Sequence, residues 1–261
     1  MNALPAGTAQ TVDAFHRGRF FLVQPAASGH RAGMDAMMLA ASVPSAFAGR
    51  LADFGAGAGA AGLAVLSRCA AAEAVLVERS PEMAAFAEAT LAHPGNAALQ
   101  GRASVLQADV TLTGRARGAA GLADNGFDFV VMNPPFNAGA DRATPDALKR
   151  AAHVMEDALF ERWVRSAAAV VKPRGGLAVI ARPEQLAELV AAVSGRFGGA
   201  EILAIHPRAD AAAIRIVLRA WRGSRAKLSL KPPLVLHESG SDRFSARADA
   251  INNGLASLFG D

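Results

Sequence analysis

The sequence predicts an α/β fold built on a doubly wound, mostly parallel sheet. Short apolar segments at 50–54, 74–77, 104–107 and 129–132 alternate with helical patterns, which is the order typical of parallel strands joined by crossover helices. The first segment ends in a glycine-rich turn and the fourth in two consecutive prolines. Ligands of open α/β sheets bind beyond the carboxyl ends of the strands, so we expect both turns at one ligand-binding edge.

The composition is that of a folded protein with one sizeable core. Of the 261 residues, 52% are hydrophobic and 19% are charged, which excludes an intrinsically disordered protein. No apolar run approaches the roughly 20 residues that a membrane-spanning helix needs, and the first residues lack a signal-peptide pattern. Cys69 is the single cysteine and no metal-ligand spacing occurs, so we expect a cytoplasmic protein without a disulfide or a metal.

The charge distribution favours a polyanionic partner. The formal net charge is +4, and seven Arg and Lys residues lie between His206 and Lys231 against a single acid, Asp210. Such a run is usually a solvated face, but its interleaving with Trp221 also fits nucleic-acid binding.

We divide the chain into four segments. These are a flexible tail at 1–14, an N-terminal extension at 15–48, the main domain at 49–235, and a C-terminal tail or short helix at 236–261. Within the extension, we expect a strand at 19–24 and a helix at 36–41. Asp35 stands where that helix needs an N-cap.

A strand, a glycine turn and a helix form a nucleotide-binding corner at 50–70. The spacing Gly57-x-Gly59-x-x-Gly62 also fits the dinucleotide fingerprint of dehydrogenases. Asp53, however, would repel a pyrophosphate, whereas it would attract the cationic methionyl part of S-adenosylmethionine. We therefore favour S-adenosylmethionine as the cofactor. The turn residues predicted to bind it are Asp53, Phe54, Gly55, Ala56, Gly57 and Gly59.

Two further acids stand at the ends of the next two predicted strands. Glu78 ends the second strand, where a carboxylate can bind both hydroxyls of a ribose. Ala108 and Asp109 follow the third strand, where an acid can accept a hydrogen bond from an adenine amino group. Each could be an ordinary surface carboxylate, but their shared position at strand ends favours a single cofactor site.

The fourth strand runs into Asn133-Pro134-Pro135-Phe136. This turn is stiff, because two consecutive prolines can neither extend the ladder nor start an ordinary helical turn. An amide oxygen and a fixed carbonyl, from Asn133 and Pro134, can accept the two N–H groups of an exocyclic amine. The ring of Phe136 can stack on the base that carries this amine. The turn is therefore the candidate catalytic element.

Two other segments are candidate ligand contacts. The turn Gly33-Met34-Asp35 either only caps a helix or touches the cofactor, and the sequence leaves both open. Residues 138–152 have the length of a loop at the mouth of an active site. The candidate substrate contacts in this segment and just beyond it are Arg142, Lys149, Arg150 and His153. Solvated charge is the more ordinary explanation of these residues.

The order of these parts resembles the class I S-adenosylmethionine-dependent methyltransferases. The matching parts are DFGAGAG, Glu78, Asp109, NPPF and KPRGG. The stretch FLVQPAASGHRAGMDAMMLAA resembles the segment before the sheet in the bacterial tRNA1(Val) adenine-N6 methyltransferase family, which lies in the "methyltransferase small" group. The resemblance covers roughly residues 15 to 235.

The resemblance implies a Rossmann-like, seven-stranded sheet with its last strand antiparallel, preceded by a small N-terminal hairpin and helix. It also implies methyl transfer to an exocyclic amine, with adenine N6 of a tRNA as the first choice and RNA as the partner. The glycine turn then binds the cofactor, and Asn133, Pro134, Pro135 and Phe136 bind the target base. Gly33, Met34 and Asp35 would lie near the methionine end of the cofactor.

Two departures from the family pattern leave the target base open. Phe136 stands where the tRNA adenine enzymes mostly carry tyrosine, and Met34 stands where threonine is common. The alternatives are a guanine-N2 rRNA methyltransferase, a glutamine-N5 protein methyltransferase, and a non-catalytic RNA-binding module that retains the cofactor fold.

Overall fold

A computed structural model gives the structure of the protein and describes residues 4, 7–26, 32–135 and 159–261. The chain begins with an antiparallel hairpin of β1 (Gln10–Phe15) and β2 (Phe20–Pro25), followed by α1 (Met34–Ala41). The hairpin and helix are as predicted. The prediction that the flexible tail extends to residue 14 is wrong, since β1 pairs with β2 from Gln10 onward.

The hairpin is fastened to the body of the protein by side chains that bond its backbone. The Val23 N–H donates to Thr90 Oγ1 at 3.0 Å, and the Phe21 N–H donates to Asn96 Oδ1 at 2.8 Å. Both acceptors are fully buried. The N-terminal extension is therefore packed as part of the fold.

The main body alternates strands and helices in the predicted order. The strands and helices up to the candidate catalytic turn are β3 (Gly49–Phe54), α2 (Ala60–Arg68), β4 (Ala72–Glu78), α3 (Pro81–Ala92), β5 (Ala103–Gln107), α4 (Gly114–Ala119) and β6 (Phe127–Met132). Pro81 occupies the first turn of α3, and Ser80 Oγ accepts the Met83 N–H at 3.3 Å as its N-cap.

The second half contains the remaining strands and three helices. In order they are α5, of which residues 159–170 are described, β7 (Val171–Ala181), α6 (Leu186–Val193), β8 (Phe197–His206), β9 (Arg215–Arg222), β10 (Ser229–Leu230), β11 (Leu234–Val235) and α7 (Ala246–Asn252). The helix α6 ends at Val193, and Gly195, with φ of +76°, turns the chain into β8. The short helix expected in the C-terminal segment is α7.

The central sheet has the strand order β10-β8-β9-β7-β6-β3-β4-β5, with β11 also paired to β8. β9 is antiparallel to both of its neighbours, and the other pairings are parallel. This confirms a doubly wound, mostly parallel sheet whose seventh strand is antiparallel. The two-residue strands β10 and β11 were not predicted and bring the sheet to nine strands.

The sheet separates two apolar cores. Val131 on β6 faces the core that contains α1 and α2, whereas its neighbour Val130 faces the core that contains α5 and α6. Strands that are buried on both faces in this way are typical of parallel sheets. Within the described part of the chain, no helix is long and apolar enough to cross a bilayer.

Candidate functional site

The carboxyl ends of β6, β3, β4 and β5 lie side by side at one edge of the sheet. The chain leaves β3 for β4 on one side, and β6 lies on the other side, so the crevice between β3 and β6 is the topological switch point. Ligands bind at this point in open α/β sheets. The glycine turn, Glu78, Asp109 and Asn133 all lie at the carboxyl ends of these four strands, as the sequence predicts.

The turn after β3 depends on its glycines. Gly55, Gly57 and Gly59 have φ values of +70°, +56° and +95°, a region that other residues rarely adopt. The N–H groups of Gly55 and Ala56 donate to the Val77 carbonyl on β4 at 2.9 and 3.1 Å. The turn is therefore fixed to the neighbouring strand, with its backbone close to the switch point.

Glu78 closes the other side of this turn. Its Oε2 accepts the Gly57 N–H at 2.9 Å, and its Oε1 accepts the Ser80 N–H at 2.8 Å. Each carboxylate oxygen can accept a second hydrogen bond. Glu78 can therefore hold the turn and still accept the hydroxyls of a ribose, which is the role that the sequence predicts for it.

Asp53 lies beneath the turn and is 3% exposed. Its Oδ2 accepts the Gly62 N–H, a donor in the first turn of α2, at 2.8 Å. The N-cap residue of α2 is Gly59, which has no side chain that could accept this hydrogen bond. Burial, and secondarily the charge of Glu78, raises the pKa of Asp53 to about 7, although the bond from Gly62 opposes the shift. A cationic ligand above the turn would favour the ionised form. Direct contact with the cofactor stays a prediction.

The surroundings of Asp109 stabilise its ionised form. Its Oδ1 accepts from the backbone N–H and the hydroxyl of Thr111 at 2.8 and 2.7 Å, and Arg79 lies 3.8 Å from its Oδ2. Burial alone would raise the pKa of Asp109, but the bonds from Thr111 and the charges of Arg79 and Arg162 outweigh it and lower the pKa. Oδ2 takes part in neither bond from Thr111 and can accept from an adenine amino group.

Asn133 leaves β6 at the switch point, with Pro134 buried and Pro135 exposed. Its Oδ1 is buried and has no hydrogen-bond partner among the residues that the structure describes. A buried amide oxygen without a partner costs about 1–3 kcal/mol, so its retention points to a ligand donor. Phe136 lies outside the described residues, as do Arg142, Lys149, Arg150 and His153.

The prediction that Asp35 is an N-cap is wrong. Gly33 is the N-cap of α1, Met34 is the first helical residue, and Asp35 lies in the first turn. The Asp35 carboxylate instead accepts from Arg215 Nε on β9 at 2.8 Å. α1 packs against β6 and β7, which places this turn beside the strand that carries Asn133. Contact of Gly33, Met34 or Asp35 with the cofactor stays a prediction.

Trp163 on α5 borders the site and is not predicted by the sequence. A Cβ added to Gly55 would lie 2.7 Å from Trp163 Cη2, so the indole occupies the space that any side chain at position 55 would need. Trp163 is 7% exposed. No motif marks it, because the contact joins two residues that are more than a hundred positions apart.

These residues fit S-adenosylmethionine. The glycine turn and Asp53 would hold its methionyl part, Glu78 its ribose, and Asp109 its adenine, which are the contacts that the sequence predicts. The described residues contain no cluster of side chains that could hold a metal ion.

Comparison with known proteins agrees with this fit. Residues 28–208 match the family described as the methyltransferase small domain. A solved structure titled as a predicted O-methyltransferase from Agrobacterium tumefaciens is 46% identical, covers 86% of this chain and 98% of its own, and has a TM-score of 0.76. No protein with a curated description matches the chain.

Two more distant structures share the fold. The tRNA (m1A58) methyltransferase from Aquifex aeolicus is 14% identical over 77% of this chain and 73% of its own, with a TM-score of 0.52. The M. jannaschii TYW2 protein, solved in complex with AdoMet, is 10% identical over 84% of this chain and 88% of its own, with a TM-score of 0.53. The chain therefore belongs to the methyltransferase small-domain family and uses S-adenosylmethionine as its cofactor.

Proposed function

We propose that the protein methylates an exocyclic amine, with adenine N6 of a tRNA as the first choice of target. The observation that carries this proposal is the buried Asn133 Oδ1, which has no partner among the described residues. A primary amine on a base offers two N–H donors. Asn133 Oδ1 accepts one and the Pro134 carbonyl accepts the other, so both are fixed while the nitrogen lone pair is directed at the methyl donor.

The chain contributes positioning to this reaction. S-adenosylmethionine supplies the electrophilic methyl group. The glycine turn and Glu78 fix one reactant, and the Asn133-Pro134 turn fixes the other, so that the two substrates react as if within one molecule. A base inside a helix must be extruded to reach such a turn, and Phe136 is proposed to stack on it. We assign no general base.

Methylation of a hydroxyl is the second candidate, because the 46% identical structure is titled as a predicted O-methyltransferase. A hydroxyl has one hydrogen to donate and leaves one of the two acceptors of the turn unused. Guanine N2 of an rRNA and glutamine N5 of a protein are the other amine targets that fit the turn equally well. A non-catalytic RNA-binding module would not need a buried amide oxygen that has no partner among the described residues.

The decisive experiment is methyl transfer from radiolabelled S-adenosylmethionine to total RNA from cells that lack this protein. Nucleoside mass spectrometry then identifies the product, which we expect to be N6-methyladenosine in the tRNA fraction. Label on a ribose hydroxyl would support the second candidate. Label that appears only in protein would overturn the RNA target.

A further inference from the structure

The cations at the two ends of β7, β8 and β9 have different surroundings. At the carboxyl edge, where the active site lies, the arginines face acids: Arg182 is 3.9 Å from Glu184, Arg208 is 2.6 Å from Asp242, and Arg215 is 2.8 Å from Asp35. Among the described residues, these three arginines at the carboxyl edge of β7, β8 and β9 are therefore each paired with an acid. The basic run of the sequence is therefore not a patch beside the active site.

The opposite, amino edge of the same strands carries Arg174, Arg222, Arg225 and Lys227, which we call the amino-edge cations. Because β9 is antiparallel, Arg222 lies beside the start of β8, opposite Phe197, and close to the start of β7. Arg174, Arg225 and Lys227 are exposed and Arg222 is half-buried. The Gly199 N–H donates to the Ala226 carbonyl at 2.9 Å, which fixes the loop between Arg225 and Lys227 against β8.

Among the described residues, which are 4, 7–26, 32–135 and 159–261, none of the amino-edge cations has a carboxylate within 4.0 Å. The nearby acids are already paired, since Asp128 accepts from Lys172 Nζ at 2.7 Å and Glu161 accepts from Arg196 at 2.5 Å. Several like charges without counter-charges repel one another and attract polyanions. Neutralisation by phosphates would release bound counterions and give a salt-dependent affinity.

The distance between the two edges of the sheet sets a minimum length for a ligand that reaches both. Seven residues separate Arg174 from the end of β7 at Ala181, which corresponds to about 23 Å of strand. β6 is the neighbour of β7, with Met132 opposite Val179, so Asn133 lies near that far end. A ligand that touches both the amino-edge cations and the Asn133-Pro134 turn must span on the order of 20 Å. A folded RNA does so, whereas a nucleoside or a peptide side chain does not.

We propose that the amino-edge cations bind the phosphate backbone of the RNA whose target base enters at the opposite edge of the sheet. This inference rests on the proposed function, because it takes the RNA substrate from there. It adds that recognition of the substrate is divided: the base is bound at the carboxyl edge, and the folded backbone is held at the amino edge. The enzyme then prefers a structured RNA to a short fragment.

The test compares two charge reversals of equal size. R225E/K227E changes two amino-edge cations, and R19E/R243E changes two exposed arginines elsewhere. Binding is measured with pooled tRNA from cells lacking the protein, as a function of salt. At physiological salt, exposed charges are screened beyond about 8 Å, and we expect R225E/K227E to weaken tRNA binding at least about 10-fold. Across the salt series, we expect R225E/K227E to reduce the slope of log K against log salt by about 2. R19E/R243E should bind like the wild type, and R225K/K227R should keep most of the affinity.

A second readout separates docking from chemistry. R225E/K227E should raise KM for full-length tRNA, while kcat, the affinity for S-adenosylhomocysteine, and turnover of a trinucleotide that contains the target base stay unchanged. Equal tRNA binding by R225E/K227E and the wild type would overturn the inference.

Two further outcomes separate this inference from the proposed function. Binding of tRNA through these cations with no methyl transfer to any RNA would remove the proposed function and leave the docking surface. Binding of anionic phospholipid vesicles through the same residues, with no binding of tRNA, would assign the surface to a membrane and overturn our inference.

Discussion

At the scale of single residues, Asn133 matters most, because its buried amide oxygen lies in the Asn133-Pro134 turn that we propose binds the target amine. Replacement by alanine removes the amide oxygen without touching Glu78 or the glycine turn. We expect N133A to lose methyl transfer while its affinity for S-adenosylhomocysteine stays within about a factor of 10, roughly 1.4 kcal/mol. Single-turnover assays and calorimetry measure the two quantities. Full turnover in N133A would remove Asn133 from the mechanism.

Asp53 makes the stability of the cofactor-free protein depend on pH. Its pKa rises from 3.8 to about 7 on folding because burial disfavours the charge. The folded state therefore binds the proton more tightly than the unfolded chain. The stabilisation that protonation of Asp53 provides is complete below about pH 4 and is lost as the pH rises through 7.

D53N should remove this dependence, because its amide oxygen still accepts from Gly62 but carries no charge. Above pH 7 we expect D53N to be more stable than the wild type, by on the order of 1 to 4 kcal/mol. Urea unfolding from pH 4 to 9 measures the difference. Glu73→Gln, which removes a charge from an exposed position on β4, is the control and should leave the profile unchanged. If the free energy of unfolding depends on pH in the same way for D53N and the wild type, burial of the Asp53 charge is not the cause of the pH dependence.

At the scale of elements, α5 and the glycine turn are shaped to fit each other. A side chain at Gly55 would meet Trp163 and would also require a φ of +70°. We expect G55A to weaken S-adenosylhomocysteine binding at least about 10-fold. W163F removes the far ring of the indole, so the double variant G55A/W163F should lose less than the sum of the single changes, with a coupling of about 0.5–3 kcal/mol.

W221F is the matched control for this cycle. Trp221 lies on β9, and its ring contacts Phe129 with centroids 5.9 Å apart. It does not border the glycine turn, so G55A and W221F should be additive. Additivity of G55A with W163F as well would show that the indole does not constrain the turn.

At the scale of the whole molecule, the C-terminal segment completes the core. Leu258 is fully buried, and its N–H donates to the Ala41 carbonyl at the end of α1 at 2.7 Å. α7 packs against α1 as well. The C-terminal segment thus covers the helix that follows the N-terminal hairpin.

L258A should therefore destabilise the protein by about 2–5 kcal/mol, since it leaves a cavity in a closed core. Leu255, three residues earlier, is 53% exposed, and L255A should stay within about 0.5 kcal/mol of the wild type. Urea denaturation compares the two variants. Equal stability of L258A and L255A would mean that the segment is not part of the cooperative unit.

The sequence by itself determined the order of strands and helices and the chemistry at the ends of the strands. Glycines that must adopt positive φ, prolines that must stop a strand, and acids at successive strand ends are local features, so they can be identified from neighbouring residues. On these grounds the cofactor turn, Glu78, Asp109 and Asn133 were all predicted to lie at the edge where the structure places them.

Only the tertiary structure decided which residues from distant parts of the chain meet. The indole of Trp163 against Gly55, the Asp35–Arg215 ion pair and the contact of Leu258 with α1 each join positions that no local pattern relates. The basic run is the clearest case. It reads as one cluster along the chain, but the antiparallel direction of β9 places Arg215 and Arg222 at opposite edges of the sheet, because seven residues of extended chain separate them by about 23 Å.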